Sequence, residues 1–225
     1  MRKKTDWGFI EKVLGSDATR IVFMSGEAGT GKTYTAMREG LGDRNCYCVT
    51  LTPETPAAEL RGFWMPKGDE FVWQDGVFIN AMREGARIVI NEVAHASHDV
   101  LALLYPVLES VETAALTLPS GETVVPAEGF QVICTDNTDI EYLPEALRDR
   151  FDAVLDVVSP HPGAIARLSN KFRAPAEKAF NLKDGRKTSI RGWLQVQKYA
   201  DGMDTADAFR AVFGEEKGHH LYTAT

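Results

Sequence analysis

The run GEAGTGKT, which begins at Gly26, holds the residues whose types and spacing most clearly suggest chemistry. Gly26, Gly29 and Gly31 allow the backbone to turn its N–H groups inward and to approach a polyphosphate without a Cβ in the way. Lys32 can bridge the β- and γ-phosphates, and the Thr33 hydroxyl can ligate Mg²⁺. The run therefore predicts a phosphate-binding loop for ATP and Mg²⁺. The expected nucleotide contacts are Gly26, Glu27, Ala28, Gly29, Thr30, Gly31, Lys32 and Thr33.

A second candidate residue, Glu92, follows the apolar run ARIVIN. Transfer of a phosphoryl group to water needs a carboxylate that orients the attacking water. A glutamate that ends a buried strand can also do no more than meet solvent. Because Glu92 lies downstream of a phosphate loop, we favour the catalytic role.

Five short, β-prone apolar runs alternate with helical patterns and would position these residues. The predicted strands are 20–25, 45–51, 86–93, 130–137 and 152–158. The first strand enters the glycine-rich turn, and the run KTYTAMREG that follows the turn predicts a helix, as a phosphate loop requires. Strands that alternate with helices predict an α/β fold of three layers, with a parallel five-stranded sheet covered on both faces.

Two hairpins and a helical C-terminal region complete the predicted organisation. Turn residues around Gly68 and around Gly121 predict β-hairpins. Beyond residue 158 only helical segments follow, namely GAIARLSNKF, PAEKAFNL, IRGWLQVQKYADG and DTADAFRAVFG. We therefore predict an α/β nucleotide-binding domain over residues 1–158 and a small helical lid over residues 159–225.

Composition and charge narrow the class of protein. Hydrophobic residues make up 44% of the chain and charged residues 25%, which is ordinary for a soluble globular protein. The net charge of −7 argues against direct nucleic-acid binding, although a narrow basic pore built from several subunits stays open. We find no signal peptide and no membrane-spanning apolar run. The three cysteines fit neither a disulfide framework nor zinc spacing, so we expect a cytoplasmic protein.

The segment around Glu92 carries a resemblance to a known family. The run GARIVINEVAHASHDVLALLYPVLES resembles the Walker B strand and following helix of MoxR-type AAA+ ATPases, a group that includes CbbQ- and CobS-like proteins, McrB and dynein-related modules. The run TPETPAAELRGFWMPKGDEFVWQDGVFINAMREG is similar to the helix-two insert of that family. The run TLPSGETVVPAEGFQVICTDN is similar to its pre-sensor-1 hairpin and sensor-1 strand. The resemblance extends over most of the chain and implies a P-loop NTPase core of the AAA+ type with a helical lid.

The resemblance also implies roles for individual side chains. Asn137 matches sensor 1, a polar residue beside Glu92 that holds the attacking water or touches the γ-phosphate. LPEALRDRF is similar to the stretch with the arginine finger, for which Arg150 is the first choice and Arg148 the second. Such an arginine stabilises charge on the γ-phosphate bound by the adjacent subunit. TSIRGWL resembles the sensor-2 signature and would place Arg191 over the phosphates of its own subunit.

One residue departs from the family pattern. The family usually has Asp-Glu at the end of the Walker B strand, and this chain has Asn91 and Glu92. Asparagine keeps an oxygen near Mg²⁺ but loses the negative charge and adds an N–H₂ donor facing the cation. We therefore expect weaker Mg²⁺ retention and slower turnover. Slow hydrolysis, binding without hydrolysis and an introduced substitution all stay open, as does replacement of the missing carboxylate by Asp136.

These observations support one leading function and two alternatives. The leading function is an AAA+ ATPase that works as a ring, by resemblance a hexamer, to remodel or activate a protein partner. MoxR-like proteins often work with von Willebrand factor A domain proteins, and here such a partner would be a separate polypeptide. The alternatives are a regulatory or structural subunit that binds nucleotide without hydrolysing it, and a McrB-like motor that uses GTP beside a nucleic-acid-processing partner. The sequence leaves the substrate open.

Overall fold

A computed structural model describes residues 6–182 and 187–225. The chain divides into two compact units. The α/β unit comprises Gly8–Gly26 and Lys32–Asp156. The helical unit comprises Glu27–Gly31, Val157–Thr225 and the described part of Met1–Trp7. The assignment of residues 1–158 and 159–225 to two domains stays a prediction.

The α/β unit is built on a five-stranded parallel sheet, which confirms the predicted fold class. Two short hairpins accompany the sheet. The nine strands among the described residues are β1 (Ile21–Gly26), β2 (Cys46–Thr50), β3 (Gly62–Lys67), β4 (Glu70–Asp75), β5 (Arg87–Asn91), β6 (Leu116–Thr117), β7 (Thr123–Val124), β8 (Gln131–Asp136) and β9 (Ala153–Val157). The order in the sheet is β2-β5-β8-β1-β9. Because neighbouring strands run parallel, the carboxyl ends of β1, β5 and β8 meet at one edge.

Six helices lie along this part of the chain. They are α1 (Trp7–Leu14), α2 (Lys32–Ala36), α3 (Ala57–Arg61), α4 (Val77–Glu84), α5 (His98–Leu104) and α6 (Glu145–Arg148). Two are shorter than the sequence predicts. The helix α2 ends at Ala36 instead of Gly40, and the Arg87 guanidinium binds the carbonyls of Ala36 and Glu39 at this end. The helix α5 ends before Pro106, which has no N–H to continue the helical hydrogen bonds.

Both predicted hairpins are confirmed. Strands β3 and β4 pair antiparallel around Gly68, and strands β6 and β7 pair around Gly121. Both glycines have positive φ angles, 64° and 88°, which suit a tight turn. In the first hairpin Trp64 and Trp73 stack edge to face, with ring centroids 5.5 Å apart.

Buried apolar side chains hold the sheet between its helices. Phe23, Ile88 and Val132 from three neighbouring strands are fully buried, and Phe78 of α4 and Leu104 of α5 belong to the same cluster. This burial is the main stabilising contribution, about 1.5–3 kcal/mol for each large apolar side chain.

The helical unit has five helices among its described residues. They are α7 (Pro162–Ala166), α8 (Asn170–Phe180), α9 (Ile190–Ala200), α10 (Thr205–Phe213) and α11 (Glu215–Thr223). Its core contains Phe172, Trp193 and Phe209, whose rings make tilted and edge-to-face contacts 5.3–6.2 Å apart. In the described part of the chain no helix is long and apolar enough to span a membrane.

Helix α8 corrects one expectation from the sequence. The sequence suggests two helical segments that divide before Pro175, whereas α8 runs through this proline. A proline inside a helix removes one hydrogen bond and disfavours the helix. Here the buried Phe172, Ala176 and Phe180 share one face of α8, and their packing outweighs that local cost.

Candidate functional site

The glycine-rich loop follows β1 and leads directly into α2, as the sequence predicts. Gly26, Gly29 and Gly31 have φ angles of 143°, 78° and 108°. Residues other than glycine rarely adopt φ angles in this positive range, so these three positions need glycine. The loop conformation therefore fits the role predicted for it.

In the α/β unit, three predicted site residues form a continuous chain of hydrogen bonds. Lys32 Nζ donates to the Gly26 carbonyl at 2.5 Å and to Asn137 Oδ1 at 3.1 Å. Asn137 Nδ2 donates to Glu92 Oε1 at 2.8 Å. Asn137 follows β8 and Glu92 follows β5, the adjacent strand, so the parallel sheet brings them together. The structure thus joins the predicted phosphate-binding amine to the predicted catalytic carboxylate through one amide.

Glu92 has an unusual backbone conformation. Its φ and ψ angles are 57° and 45°, and among residues 6–182 and 187–225 no other non-glycine residue has a positive φ. The Glu92 N–H donates to the Thr135 carbonyl at 2.8 Å, which continues the β5–β8 pairing beyond the strand end. A left-handed residue costs about 1–3 kcal/mol and tends to occur where function requires it.

The amide of Asn91 is held on both sides. Its Oδ1 accepts from Thr33 Oγ1 at 2.8 Å and from Thr135 Oγ1 at 2.7 Å. Its Nδ2 donates to Cys48 Sγ at 3.1 Å and to Thr50 Oγ1 at 3.4 Å on β2. The expectation that the N–H₂ group faces the cation is therefore wrong, because the oxygen lies on the Thr33 side and the nitrogen faces β2.

Asp136 does not approach this cluster. Its carboxylate accepts from the Ala94 N–H at 2.8 Å, from the Thr138 N–H at 2.9 Å and from Thr138 Oγ1 at 2.6 Å. It is 1% exposed and fastens the turn after β5 to the loop after β8. These contacts contradict the idea that Asp136 supplies the carboxylate that Asn91 lacks.

In the helical unit, the other loop residues pack against the start of α9 and against His161. A Cβ on Gly29 would lie 2.5 Å from Ser189 Cβ, and one on Gly31 would lie 3.0 Å from His161 Cβ. The Thr30 carbonyl accepts from the His161 N–H at 2.8 Å. Glycine is thus required for close packing as well as for φ.

The remaining helical-unit candidates lie beside this contact. Glu27 forms an ion pair with Lys187, and Ala28 is exposed. Ser189 caps α9 by accepting from the Gly192 N–H at 3.3 Å. Arg191 is exposed on the first turn of α9, two residues after the serine that packs on Gly29.

Arg150 contacts other residues of the α/β unit. Its guanidinium pairs with the Glu109 carboxylate, donates to the Ala146 carbonyl and lies 5.3 Å from the centroid of the Tyr105 ring. Within the described chain we find no contact between Arg150 and the cluster of Lys32, Asn137 and Glu92. The structure therefore does not bring this predicted residue to that cluster within the same chain.

Three residues around Asn91 were missed by sequence reasoning. Thr50 and Thr135 are its direct neighbours in the sheet register, and Cys48 lies two residues before Thr50 on β2. The available signal was that polar residues near the ends of adjacent buried strands face one another across a parallel sheet. Using that signal requires the strand order, which the sequence does not provide.

The residues present fit a nucleoside triphosphate with Mg²⁺. The Thr33 hydroxyl donates a hydrogen bond to Asn91 Oδ1, which leaves a lone pair of the hydroxyl oxygen for a cation. In the described chain no three His, Cys, Asp or Glu side chains cluster as a metal site.

Comparison with known proteins adds independent information. The family model described as AAA domain (dynein-related subfamily) matches residues 21–151. Protein NorQ of Paracoccus denitrificans is 32% identical over 191 residues, which cover 75% of this chain and 70% of NorQ. Denitrification regulatory protein NirQ of Pseudomonas aeruginosa is 30% identical over 141 residues, 59% of this chain and 53% of NirQ.

A solved structure agrees on the fold. NtrX from Brucella abortus superposes with a TM-score of 0.60 at 16% sequence identity, over 90% of this chain and 53% of that chain. At this identity the likeness concerns the fold alone. The chain thus matches only about half the length of NirQ and of NtrX.

Proposed function

The chain belongs to the MoxR-like AAA+ ATPases, in the dynein-related subfamily, and on this basis we propose that it binds ATP with Mg²⁺ and hydrolyses the ATP. The proposed working form is a ring, by family resemblance a hexamer, that remodels or activates a protein partner in the cytoplasm. The observation that carries the proposal is the hydrogen-bonded chain from Lys32 through Asn137 to Glu92.

The proposal gives each residue of the site a defined task. The loop N–H groups and Lys32 would bind the phosphate oxygens, and Thr33 would ligate the cation while its hydroxyl donates a hydrogen bond to Asn91. Bound ATP and Mg²⁺ supply the phosphoanhydride bond to be cleaved and a positive charge that offsets the phosphate oxygens. Glu92 orients and deprotonates the attacking water, and Asn137 fixes the Glu92 carboxylate through Oε1.

The neutral Asn91 lowers the electrostatic attraction for the cation. At ~4 Å and an effective dielectric constant of ~20, a full carboxylate would add roughly 8 kcal/mol of Coulomb attraction to a divalent ion. Dehydration of the carboxylate offsets most of that gain. We therefore propose that the chain retains Mg²⁺ less tightly and turns over more slowly than a relative with aspartate at this position.

Two arginines complete the proposed site. Arg150 is proposed to act on the nucleotide of the adjacent subunit, which is compatible with its lack of contact to the cluster of its own subunit. Arg191, on the first turn of α9, is proposed to reach the phosphates from the lid of residues 159–225. A positive charge at either point would stabilise the charge that develops on the γ-phosphate.

The partner is proposed from the family. The chain is similar to NorQ and to the denitrification regulatory protein NirQ. MoxR-like ATPases often act with a von Willebrand factor A domain protein, so we propose a partner of this kind.

An ATPase assay of the native chain, Glu92→Gln and Asn91→Asp tests the proposal. Glu92→Gln removes the base while keeping the size of the side chain, so we expect kcat to fall by about 10²-fold while a fluorescent ATP analogue still binds. Glu59→Gln, an exposed glutamate on α3, serves as the control and should match the native chain. Equal turnover of native and Glu92→Gln protein would contradict the proposal.

Asn91 itself favours one alternative, a regulatory subunit that binds nucleotide without hydrolysing it. Asn91→Asp decides between the two functions. For the ATPase we expect measurable native turnover and, in the variant, about tenfold tighter Mg²⁺ binding, equivalent to about 1.4 kcal/mol. For the regulatory subunit, only the aspartate variant hydrolyses ATP.

A further inference from the structure

The two carboxylate oxygens of Glu92 have different neighbours. Oε1 accepts the hydrogen bond from Asn137 Nδ2 at 2.8 Å. Oε2 lies 3.9 Å from Nε2 of His95, three residues further along the chain. Oε2 is therefore the oxygen that Asn137 leaves open to water, and an imidazole stands beside it.

The backbone fixes His95 in this place. A short 3-10 turn over Val93–His95 follows the left-handed Glu92, and the His95 N–H donates to the Glu92 carbonyl at 3.0 Å. The buried Asp136 carboxylate binds the Ala94 N–H in the middle of the same turn. With both ends and the middle of the turn held, the backbone keeps the Cα of His95 within side-chain reach of the Glu92 carboxylate.

Solvent reaches this imidazole readily. The side chain of His95 is 57% exposed, and that of Glu92 is 33% exposed. Imidazole is the side chain that ordinarily changes its charge between about pH 5 and pH 8. A proton on His95 would convert a neutral neighbour of Oε2 into a cation in reach of an ion pair.

We propose that His95 is a proton-responsive positioning residue for Glu92. Neutral His95 leaves Oε2 open to the attacking water, whereas protonated His95 pairs with Oε2 and withdraws it from that water. The inference rests on the proposed function, in which Glu92 is the base for hydrolysis. It adds that this base is restrained at low pH and released as the pH rises.

Other charged groups near the turn do not replace His95. Lys32 donates to Asn137, and Asn137 binds Oε1 of Glu92, the carboxylate oxygen opposite the one beside His95. Asp136 faces the turn from β8, but its oxygens are taken up by Ala94 and Thr138. Ion pairs at exposed positions are weak, so the expected change in turnover is about two- to fivefold.

Two substitutions at His95 separate its charged state from its neutral state. His95→Gln is neutral at every pH, and His95→Lys is cationic across the same range. His98→Gln is the matched control, because His98 is also exposed and lies at the first position of α5. For each protein, kcat with saturating ATP and Mg²⁺ is measured from pH 5.5 to 8.5, together with the Kd of a fluorescent ATP analogue.

The expected pattern concerns kcat and its pH profile. The ratio of kcat at pH 8 to kcat at pH 6 should fall about threefold in His95→Gln, because activity at pH 6 is gained. His95→Lys should show at pH 8 the low activity that the native chain shows at pH 6. His98→Gln should keep the native profile, and the Kd values should agree within about twofold across the set.

Three outcomes would overturn the proposal. A native profile in His95→Gln would show that the imidazole does not restrain Glu92. A loss of kcat in His95→Gln at pH 8 would show that neutral imidazole assists catalysis instead of standing aside. Absence of Glu92-dependent turnover in the native chain would remove both this inference and the proposed function, whereas the first two outcomes leave the proposed function intact.

Discussion

Asn91 and Glu92 are adjacent in sequence but are constrained by different parts of the sheet. The amide of Asn91 is held between β2 and β8 by two hydroxyl donors and two acceptors. The backbone of Glu92 turns left-handed as soon as the strand ends, and this aims its side chain at Asn137. The two residues therefore serve the cation side and the water side of the proposed site separately.

Asp136 provides a prediction at the same scale. Its buried carboxylate accepts three hydrogen bonds, and Asp136→Ala would leave the Ala94 and Thr138 donors without a partner. We expect the free energy of unfolding to fall by about 2–4 kcal/mol, measured by urea denaturation. Turnover should fall as well, because both loops that carry Glu92 and Asn137 lose their common anchor.

The exposed Asp139 is the control for that substitution. Its carboxylate caps the 3-10 turn that begins at Ile140 by accepting from the Glu141 N–H. Removal of this exposed cap should cost only about 1 kcal/mol. Equal losses in the two variants would contradict the anchoring role assigned to Asp136.

At the scale of elements, one buried arginine ties helices to the sheet. Arg87, at the start of β5, is fully buried and donates to Gln131 Oε1 of β8 at 2.6 Å. It also donates to the carbonyls of Leu14 and Ala36, which end α1 and α2. Burial lowers the pKa of Arg87 to about 10, so the guanidinium is still charged at neutral pH. It satisfies carbonyls at helix ends that would otherwise be buried without donors.

Arg87→Met tests this role. Loss of the donors leaves buried carbonyls unpaired, so we expect the free energy of unfolding to fall by about 3 kcal/mol in urea titrations. Arg44→Met is the matched control, because Arg44 also binds three backbone carbonyls but is only half-buried. For Arg44→Met the free energy of unfolding should fall by only about 1 kcal/mol, since water can replace the lost donors. A larger loss for Arg44→Met would contradict the argument.

At the scale of the whole molecule, the question is whether the proposed site is shared between subunits. Glu92→Gln subunits lack the base but keep Arg150, and Arg150→Ala subunits lack the arginine but keep Glu92. If Arg150 acts in trans, each variant alone is inactive, and a mixture recovers part of the native ATPase rate. Where a Glu92→Gln subunit presents Arg150 to a neighbour with intact Glu92, one complete site forms.

The control for the mixing experiment is the double variant Glu92→Gln/Arg150→Ala. Mixed with either single variant it can form no complete site, so no activity should return. Failure of the two single variants to complement would place Arg150 outside the neighbouring site. The measurement is the steady-state ATPase rate at several mixing ratios.

Much of the fold follows from local patterns, which the sequence by itself determined. The five strands of the sheet, both hairpins and the glycine positions of the loop agree with the structure to within a few residues. Each depends on the residues nearby: apolar β-prone runs, turn residues, and glycines where φ is positive. For the same reason the sequence could single out Gly26, Lys32 and Thr33 as candidates within one loop.

Only the tertiary structure decided which side chains meet. Thr135, Thr50 and Cys48 reach Asn91 through the strand order β2-β5-β8, and no local pattern encodes that order. The same holds for Pro175, where packing of one helix face outweighs a local cost, and for His95, whose place beside Glu92 depends on a single left-handed residue. Local sequence sets which elements form, whereas the direction of an amide or a carboxylate depends on neighbours distant along the chain.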